Sequence, residues 1–393
     1  MKKRHIVITA VITFYITLFV CFMLATKFIT GGYGLNGSLI TKLMRIDNLL
    51  EHSFIFDYDK KAAEQNALEG YLAACNDVYT EYISENEFVE YKRSSEGKYK
   101  GIGVVVSISG EDVTIISVNP ESPASKAKMQ PGDIIKKVNG VAVSSESYNE
   151  MLSIIRGTDK RGKDDKLSIE ISRNNQQIVL DVVREEVESI TVSSQLIDGD
   201  IGYIRISSFE GSTSEQFNKA VENFTQKNVK GFIFDVRNNP GGTLGSVLDV
   251  TDRVLKDGII LTIRSKSGKD EIFRAEDDDS IDIPVCVIAN KSSASAAEVF
   301  TAALKENNVA TFVGETTFGK GIVQSVYPLG DDTAVKLTTA KYYTPNGTCI
   351  HEIGVAPDYD VKLDEKYADL TISELGFDKD LQLKKAVEVI RNK

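Results

Sequence analysis

Short, uninterrupted runs of apolar and β-branched residues recur in the second half of the chain, at Ile201 to Ile206, Gly231 to Arg237 and Val285 to Ala289. Runs of this length predict strands covered on both faces, as in a parallel sheet flanked by helices. Between them the apolar period changes to that of a helix. Ser214 to Asn223 predicts one helix, Leu244, Val247, Leu248, Val254 and Leu255 share a face of the next, and Val299, Phe300, Ala303 and Leu304 follow Ala296 at helical spacing. Residues 258–283 predict a strand pair with an acidic loop at Glu276 to Asp279, Ala334 to Tyr343 a further strand, and Asp380 to Arg391 a final amphipathic helix through Leu383, Val387 and Ile390.

The first half is patterned differently. Residues 98–186 hold short strands punctuated by turn chemistry at Pro131-Gly132-Asp133 and Asn139-Gly140. One helix interrupts them, around Tyr148 to Ile155, with Met151, Leu152 and Ile155 apolar. Upstream, Leu39, Leu43, Ile46, Leu49 and Leu50 form one helical stripe and Ala63, Leu68 and Leu72 mark a second helix from Lys60 to Cys75. These helices are expected to pack on the rest of the protein or on a second copy. At the start, Lys2, Lys3 and Arg4 precede an uncharged apolar run from Ile6 to Thr26, closed by Lys27. That length suits a membrane helix. A cleaved signal peptide is the alternative, and the weak small-residue site at Met23 to Thr26 favours a retained anchor with the remaining chain on the extracytoplasmic side. Gly31 to Gly37 reads as a flexible spacer and Ser38 as a helix cap.

Composition narrows the partners. With 393 residues, 42% hydrophobic, the chain is long enough for two or three domains. A net charge of -11 argues against nucleic acid. Cys21, Cys75, Cys286 and Cys349 are widely spaced without a C-x-x-C, which indicates neither a zinc site nor a disulfide framework. His351 is the one histidine in the second half, and a Ser-His-Asp triad would have to use it. No G-x-S-x-G elbow accompanies it, so it reads as a loop residue, with a substrate contact left open.

Candidate chemistry concentrates in 284–324. Ser292, Ser293 and Ser295 occupy a predicted strand-to-helix turn, where a hydroxyl lies beside unpaired backbone N–H groups at the positive end of a helix. Serines there are also common helix caps. Lys320 stands 25 residues beyond Ser295 in a glycine-rich segment. A lysine among apolar groups loses its charge readily and can act as a base, and Phe318, Ile322 and Val323 could form that setting. Gln324 has the parity to orient the amine if the segment is extended. Gly314 to Lys320 also fits part of a phosphate-binding loop, but Gly321 replaces the required Ser or Thr and the following residues read as a strand.

Ser-Ala-Ser-Ala-Ala-Glu followed by Gly-Glu-Thr-Thr-Phe-Gly-Lys-Gly-Ile-Val-Gln resembles the serine/lysine core of the carboxyl-terminal processing peptidases, or tail-specific proteases. The resemblance implies Ser295 as nucleophile, Lys320 as base and Gln324 as its supporter, with no metal or organic cofactor. It also implies that Arg237 to Gly242 lies beside the serine, Gly241 or Gly242 sharing an oxyanion hole with the Ala296 N–H. Read from residues alone, Pro-Gly-Gly is equally a turn. Tyr99 to Val105 resembles the carboxylate-binding loop of a PDZ domain, with Gly101, Ile102, Gly103 and Val104 as the substrate-binding residues. A bare G-x-G more often marks a tight turn. Successive N–H groups there would face one anion while the strand from Ile102 adds a peptide to a sheet edge. Arg156 could sense a bound terminus or simply complement the helix dipole. Tyr79 to Ile83, Tyr342 to Gly347 and Gly354 to Asp358 also match the family, whose members often pair through N-terminal helices.

The expected architecture is α/β multidomain: anchor and spacer (1–37), helical region (38–97), PDZ domain, a β-sandwich or barrel with helices (98–186), and α/β serine peptidase core with a C-terminal helix (187–393). The expected function is a membrane-anchored endopeptidase that takes protein or peptide substrates by their free C-terminus. The competing class is a tethered PDZ adaptor or chaperone with an inactive core.

Overall fold

The computed structural model describes residues 12–23, 37–276, 280–367 and 370–393. It contains two compact units, residues 1–68 and 69–393. In the first, residues 12–23 are helical with exposed side chains. Among the described residues no helix is long and apolar enough to cross a membrane. The span expected over Ile6 to Thr26 lies partly outside the described residues, and the described helix alone is too short for it. The helix Gly37–Ser53 follows, and Leu43, Ile46 and Leu49 of its apolar stripe are exposed. The helix Lys60–Ala73 buries none of its residues.

The larger unit is built on a six-stranded sheet. Its order is Val192–Ile197, Ile201–Ile206, Gly231–Asp235, Val285–Ala289, Ala310–Gly314 and Tyr359–Asp360. The first pair is antiparallel and every later pairing parallel. Each residue of Gly231–Asp235 and of Val285–Ala289 is buried, as their continuous apolar runs require. Thr213–Gln226, Leu244–Asp252 and Ala296–Glu306 supply the main core on one face; Leu381–Arg391 closes the other through Leu383, Val387 and Ile390. The helix from Leu244 stops at Asp252, so Val254 and Leu255 are buried from the loop beyond it.

A second, antiparallel sheet joins Glu81–Ile83, Ala334–Tyr343, Gly258–Ser265 and Asp270–Ala275, with Ile322–Pro328 also on Ala334–Tyr343. The predicted strand pair is a hairpin turning at 266–269. The acidic run therefore follows the hairpin, and residues 277–279 lie outside the described residues. Glu81–Ile83 is a strand of this sheet, and the larger unit begins at Glu69, within the helix Lys60–Ala73.

Residues 104–183 form a separate sheet in the order Val104–Ser109, Asp112–Val118, Ile134–Val138, Lys166–Arg173, Gln176–Val183, around its own core of Ile102, Val113, Ile135, Met151, Ile154 and Leu167. Lys98–Gly101 pairs with Glu185–Glu188 where the chain enters and leaves this module. The expected turns are present, with Asn139 and Gly140 both at positive φ and Gly132 at φ 91°. Asp133 of that turn is buried and accepts a two-pronged Arg173 guanidinium at 2.6 and 2.7 Å.

Candidate active site

Three neighbouring parallel strands end at the same edge of the core sheet, where open α/β sheets gather their ligands. Gly231–Asp235 leads into the Pro-Gly-Gly loop, Val285–Ala289 into the serine cluster, and Ala310–Gly314 into the lysine segment. Topology thus converges segments separated by up to 80 residues in sequence.

The three serines part company. Ser292 is exposed. Ser293 is fully buried, donating to the Val236 carbonyl at 2.8 Å while accepting from the Asn290 N–H at 2.9 Å. Its hydroxyl is spent on joining two strand ends. Ser295 immediately precedes the helix Ala296–Glu306, at φ 55° and ψ −116°. A non-glycine residue in that region costs about 1–3 kcal/mol and persists only where the surroundings impose it. The Tyr342 side chain interacts with the Ser295 hydroxyl; burial raises its phenol above the ordinary range and Ser295 pulls the other way.

The Pro-Gly-Gly loop lies against this serine. A Cβ on Gly241 (φ 105°) would stand 2.8 Å from the Ser295 Cβ, and one on Gly242 (φ 151°) 2.0 Å from the Phe209 carbonyl oxygen. The two glycines are not equivalent donors. The Gly241 N–H is already given to Asn239 Oδ1 at 2.8 Å. Among the described residues the Gly242 and Ala296 N–H groups have no partner. Asn239 is itself held by Ile206, and Phe209 brackets the loop by donating to the Gly241 carbonyl and accepting from the Thr243 N–H.

Lys320 is half-buried in the loop before Ile322–Pro328. Its pKa is lowered, first by burial and then by the Lys336 charge, against Asp77, Glu298 and Glu81. The expected apolar setting needs correction. Phe318 is 57% exposed, and the aromatic group against the amine is Tyr79, whose ring centroid lies 4.4 Å from Nζ. Among the described residues no hydrogen bond joins this amine to the Ser295 hydroxyl; the two residues are joined through their backbones, as both N–H groups donate to Glu298 Oε2 at 2.8 Å. The parity argument for Gln324 does not reach back to Lys320, because the strand starts only at Ile322; the register shift beside Val323 and Gln324 places its extra residue, Thr339, on the partner strand Ala334–Tyr343. Among the described residues the Gln324 Nε2 is buried without a partner.

Sequence reasoning assigned no role to Asp77, Tyr79, Tyr342 or Glu298. Asp77 accepts from Thr80 at 2.7 Å and from the Tyr79 N–H at 3.1 Å. Burial raises its pKa, but the nearby Thr338 hydroxyl, the hydrogen bonds from Thr80 and the Tyr79 N–H, and the His351 charge bring it below the ordinary value. His351 thus sits behind the lysine segment, packed on Gly321, and not in a triad with Ser295.

In the module, Val104–Ser109 is an edge strand. A cavity of about 500 Å³ runs along it, lined by Gly101 to Val106, Tyr148, Met151, Ile155 and Arg156 among others. The Ile102 side chain points into the core, while among the described residues the Ile102 and Gly103 N–H groups have no partner. Gly103 is at φ 79°.

Residues 200–361 match the family model described as peptidase family S41, and residues 100–183 match the PDZ domain. The chain is similar to the carboxy-terminal processing protease CtpA of Bacillus subtilis (strain 168), at 32% identity over 93% of this chain and 78% of the relative. CtpB of the same organism is 33% identical over 82% of this chain and 67% of the relative. Among solved structures, the photosystem II D1 C-terminal processing protease superposes with a TM-score of 0.50 at 26% identity, covering 84% of this chain and 89% of that one. These likenesses cover both the module and the core, and the chain belongs to the carboxy-terminal processing proteases of peptidase family S41, serine peptidases that carry a PDZ domain.

Proposed function

We propose that the chain is an endopeptidase that captures the free C-terminus of a polypeptide in the module and cleaves it with Ser295 as nucleophile and Lys320 as general base. The observation that carries this reading is the meeting of the two segments on one carboxylate, at the ends of adjacent parallel strands. A neutral Lys320 amine, swung from Tyr79 by rotation about its own side-chain bonds, takes the Ser295 proton as the hydroxyl attacks the scissile carbonyl. The oxyanion then rests on the Gly242 and Ala296 N–H groups, which among the described residues have no partner. The resulting ammonium returns its proton to the leaving amine, and water releases the acyl-enzyme. Gln324, buried with a free amide N–H, is suited to hold the amine in line.

The module contributes by donor and edge chemistry. The substrate carboxylate takes the Ile102 and Gly103 N–H groups, and its backbone pairs with Val104–Ser109. The charged start and apolar run at Ile6 to Thr26 support a retained membrane anchor with the catalytic unit outside the cell membrane, and the exposed Leu43, Ile46 and Leu49 stripe supports pairing of two copies.

The test is direct. Ser295→Ala and Lys320→Ala should each abolish cleavage of a polypeptide with an unstructured apolar tail, followed by mass spectrometry, while both variants stay folded. Activity in Ser295→Ala with loss in Ser293→Ala would move the nucleophile. A fluorophosphonate that labels no serine in the wild type would favour a PDZ adaptor.

A further inference from the structure

Glu298 lies in the first turn of the serine helix and is fully buried. Its four hydrogen bonds are all to donors. Oε1 accepts the Thr317 hydroxyl at 2.6 Å and the Gly319 N–H at 2.7 Å; Oε2 accepts the Ser295 N–H and the Lys320 N–H, each at 2.8 Å. One comes from the serine turn and three from the lysine loop. That fills the four acceptor sites a carboxylate offers.

The ordinary explanation is a helix cap, since a glutamate three residues into a helix commonly accepts from the capping residue's N–H. This chain holds two such caps for comparison. Glu87 accepts the Ser84 N–H at 2.9 Å and its hydroxyl at 2.6 Å; Glu374 accepts the Thr371 N–H at 2.9 Å and its hydroxyl at 2.8 Å. Both glutamates are exposed and both absorb the hydroxyl of the residue they cap. Glu298 differs on each count. It is buried, it reaches a second segment, and although the capping-box arrangement with Ser295 is the same, among the described residues its carboxylate takes no bond from the Ser295 hydroxyl.

Capping accounts for one bond of the four. From the other three we infer that Glu298 is the positioning residue of the dyad: its carboxylate fixes the separation of the serine turn and the lysine loop by binding the backbone N–H of both residues at one oxygen. This rests on the Ser295/Lys320 reading. Thr317 extends the brace, accepting the Val355 N–H at 2.8 Å, so that the loop after the second sheet is tied to the same point. The carboxylate also belongs to the charges around the amine, with Asp77 and Glu81 on the segment before the module and Lys336 on the strand Ala334–Tyr343.

The experiment compares full-length Glu298→Gln with wild type on a fluorescence-quenched peptide with a free apolar C-terminus. Glutamine keeps the shape but turns an amide N–H toward donors. We expect kcat to fall roughly 100-fold, the scale of a displacement near 1 Å, with KM nearly unchanged. Loss of the negative charge should also move the rising limb of the pH profile to lower pH, as expected of a carboxylate that raises the Lys320 pKa. Wild-type kcat with an unmoved limb in folded Glu298→Gln would overturn the inference. If that variant does not fold, Thr317→Val removes one donor from Oε1 and should lower kcat roughly 5-fold at constant KM; an unaltered kcat there overturns it equally. Ser295→Ala and Lys320→Ala run alongside. If either retains activity the dyad itself is wrong, whereas two dead controls beside a fully active Glu298→Gln reject only the positioning role.

Discussion

Two glycine loops in this protein offer unpaired N–H groups, and they are held in opposite ways. The loop at Gly101 to Gly103 opens on a groove beside an edge strand. The loop at Asn239 to Thr243 is bound from behind by Asn239 and Phe209, pressed against Ser295, and preceded by a fully buried charge. The buried charge is Arg237, whose guanidinium reaches Asp235, Asp380 and Gln382 and so ties the strand end to the start of the C-terminal helix. A docking loop needs an open face and can accept several peptides. A loop that stabilises a transient oxyanion must already be in place when the charge appears. The difference is therefore one of how many independent contacts determine each loop.

The contrast predicts how each region responds to the same insult. The largest effect is expected from Gly242→Ala, where the added methyl meets the Phe209 carbonyl at 2.0 Å. Steady-state kinetics should give a kcat at least about 100-fold lower, the scale of losing one oxyanion donor. Gly103→Ala is the partner test. Its Cβ would meet the Ser122 Cβ at 2.3 Å at a φ of 79°, so peptide affinity should fall while fluorophosphonate labelling of Ser295 proceeds at the wild-type rate. Next comes Arg237→Ala, which strands Asp235 and Asp380 in the core; chemical denaturation should register a loss of roughly 3–5 kcal/mol, with the module's peptide binding intact. The smallest effect is expected from amidating the peptide's terminal carboxylate. Titration calorimetry should read a loss of about 1.5–3 kcal/mol, the range for hydrogen bonds to a charged group, with no change in labelling. An amide that binds as well as the acid would mean that the Ile102 and Gly103 donors face something else.

Much of this organisation was legible in the sequence because it is local. Continuous β-branched runs marked the buried parallel strands, Pro-Gly-Asp and Asn-Gly marked the module's turns, and two motifs 25 residues apart pointed to Ser295 and Lys320. What stayed hidden depends on contacts between distant residues. Arg237 meets Asp380 across 143 positions, and no periodicity announces it. Tyr79 reaches the Lys320 amine because Glu81–Ile83 adds to a sheet whose other strands come from the far end of the chain. Parity could not place Gln324 against Lys320, because the strand begins only at Ile322, beyond the lysine. Glu298 was part of the quoted motif, yet nothing in its spacing told of its bonds to the lysine loop. That the Asn239 side chain takes the Gly241 N–H and not that of Gly242 could not be read from the Pro-Gly-Gly pattern.

The central claim is that a neutral Lys320 activates Ser295, and the pH dependence of fluorophosphonate labelling measures it most directly. Neutral amine is favoured as pH rises, and burial lowers the Lys320 pKa, so the labelling rate should climb with pH through a midpoint below the ordinary lysine value of about 10.4. The climb should vanish in Lys320→Ala. A maximum on the acid side, or an unchanged climb without Lys320, would contradict the account.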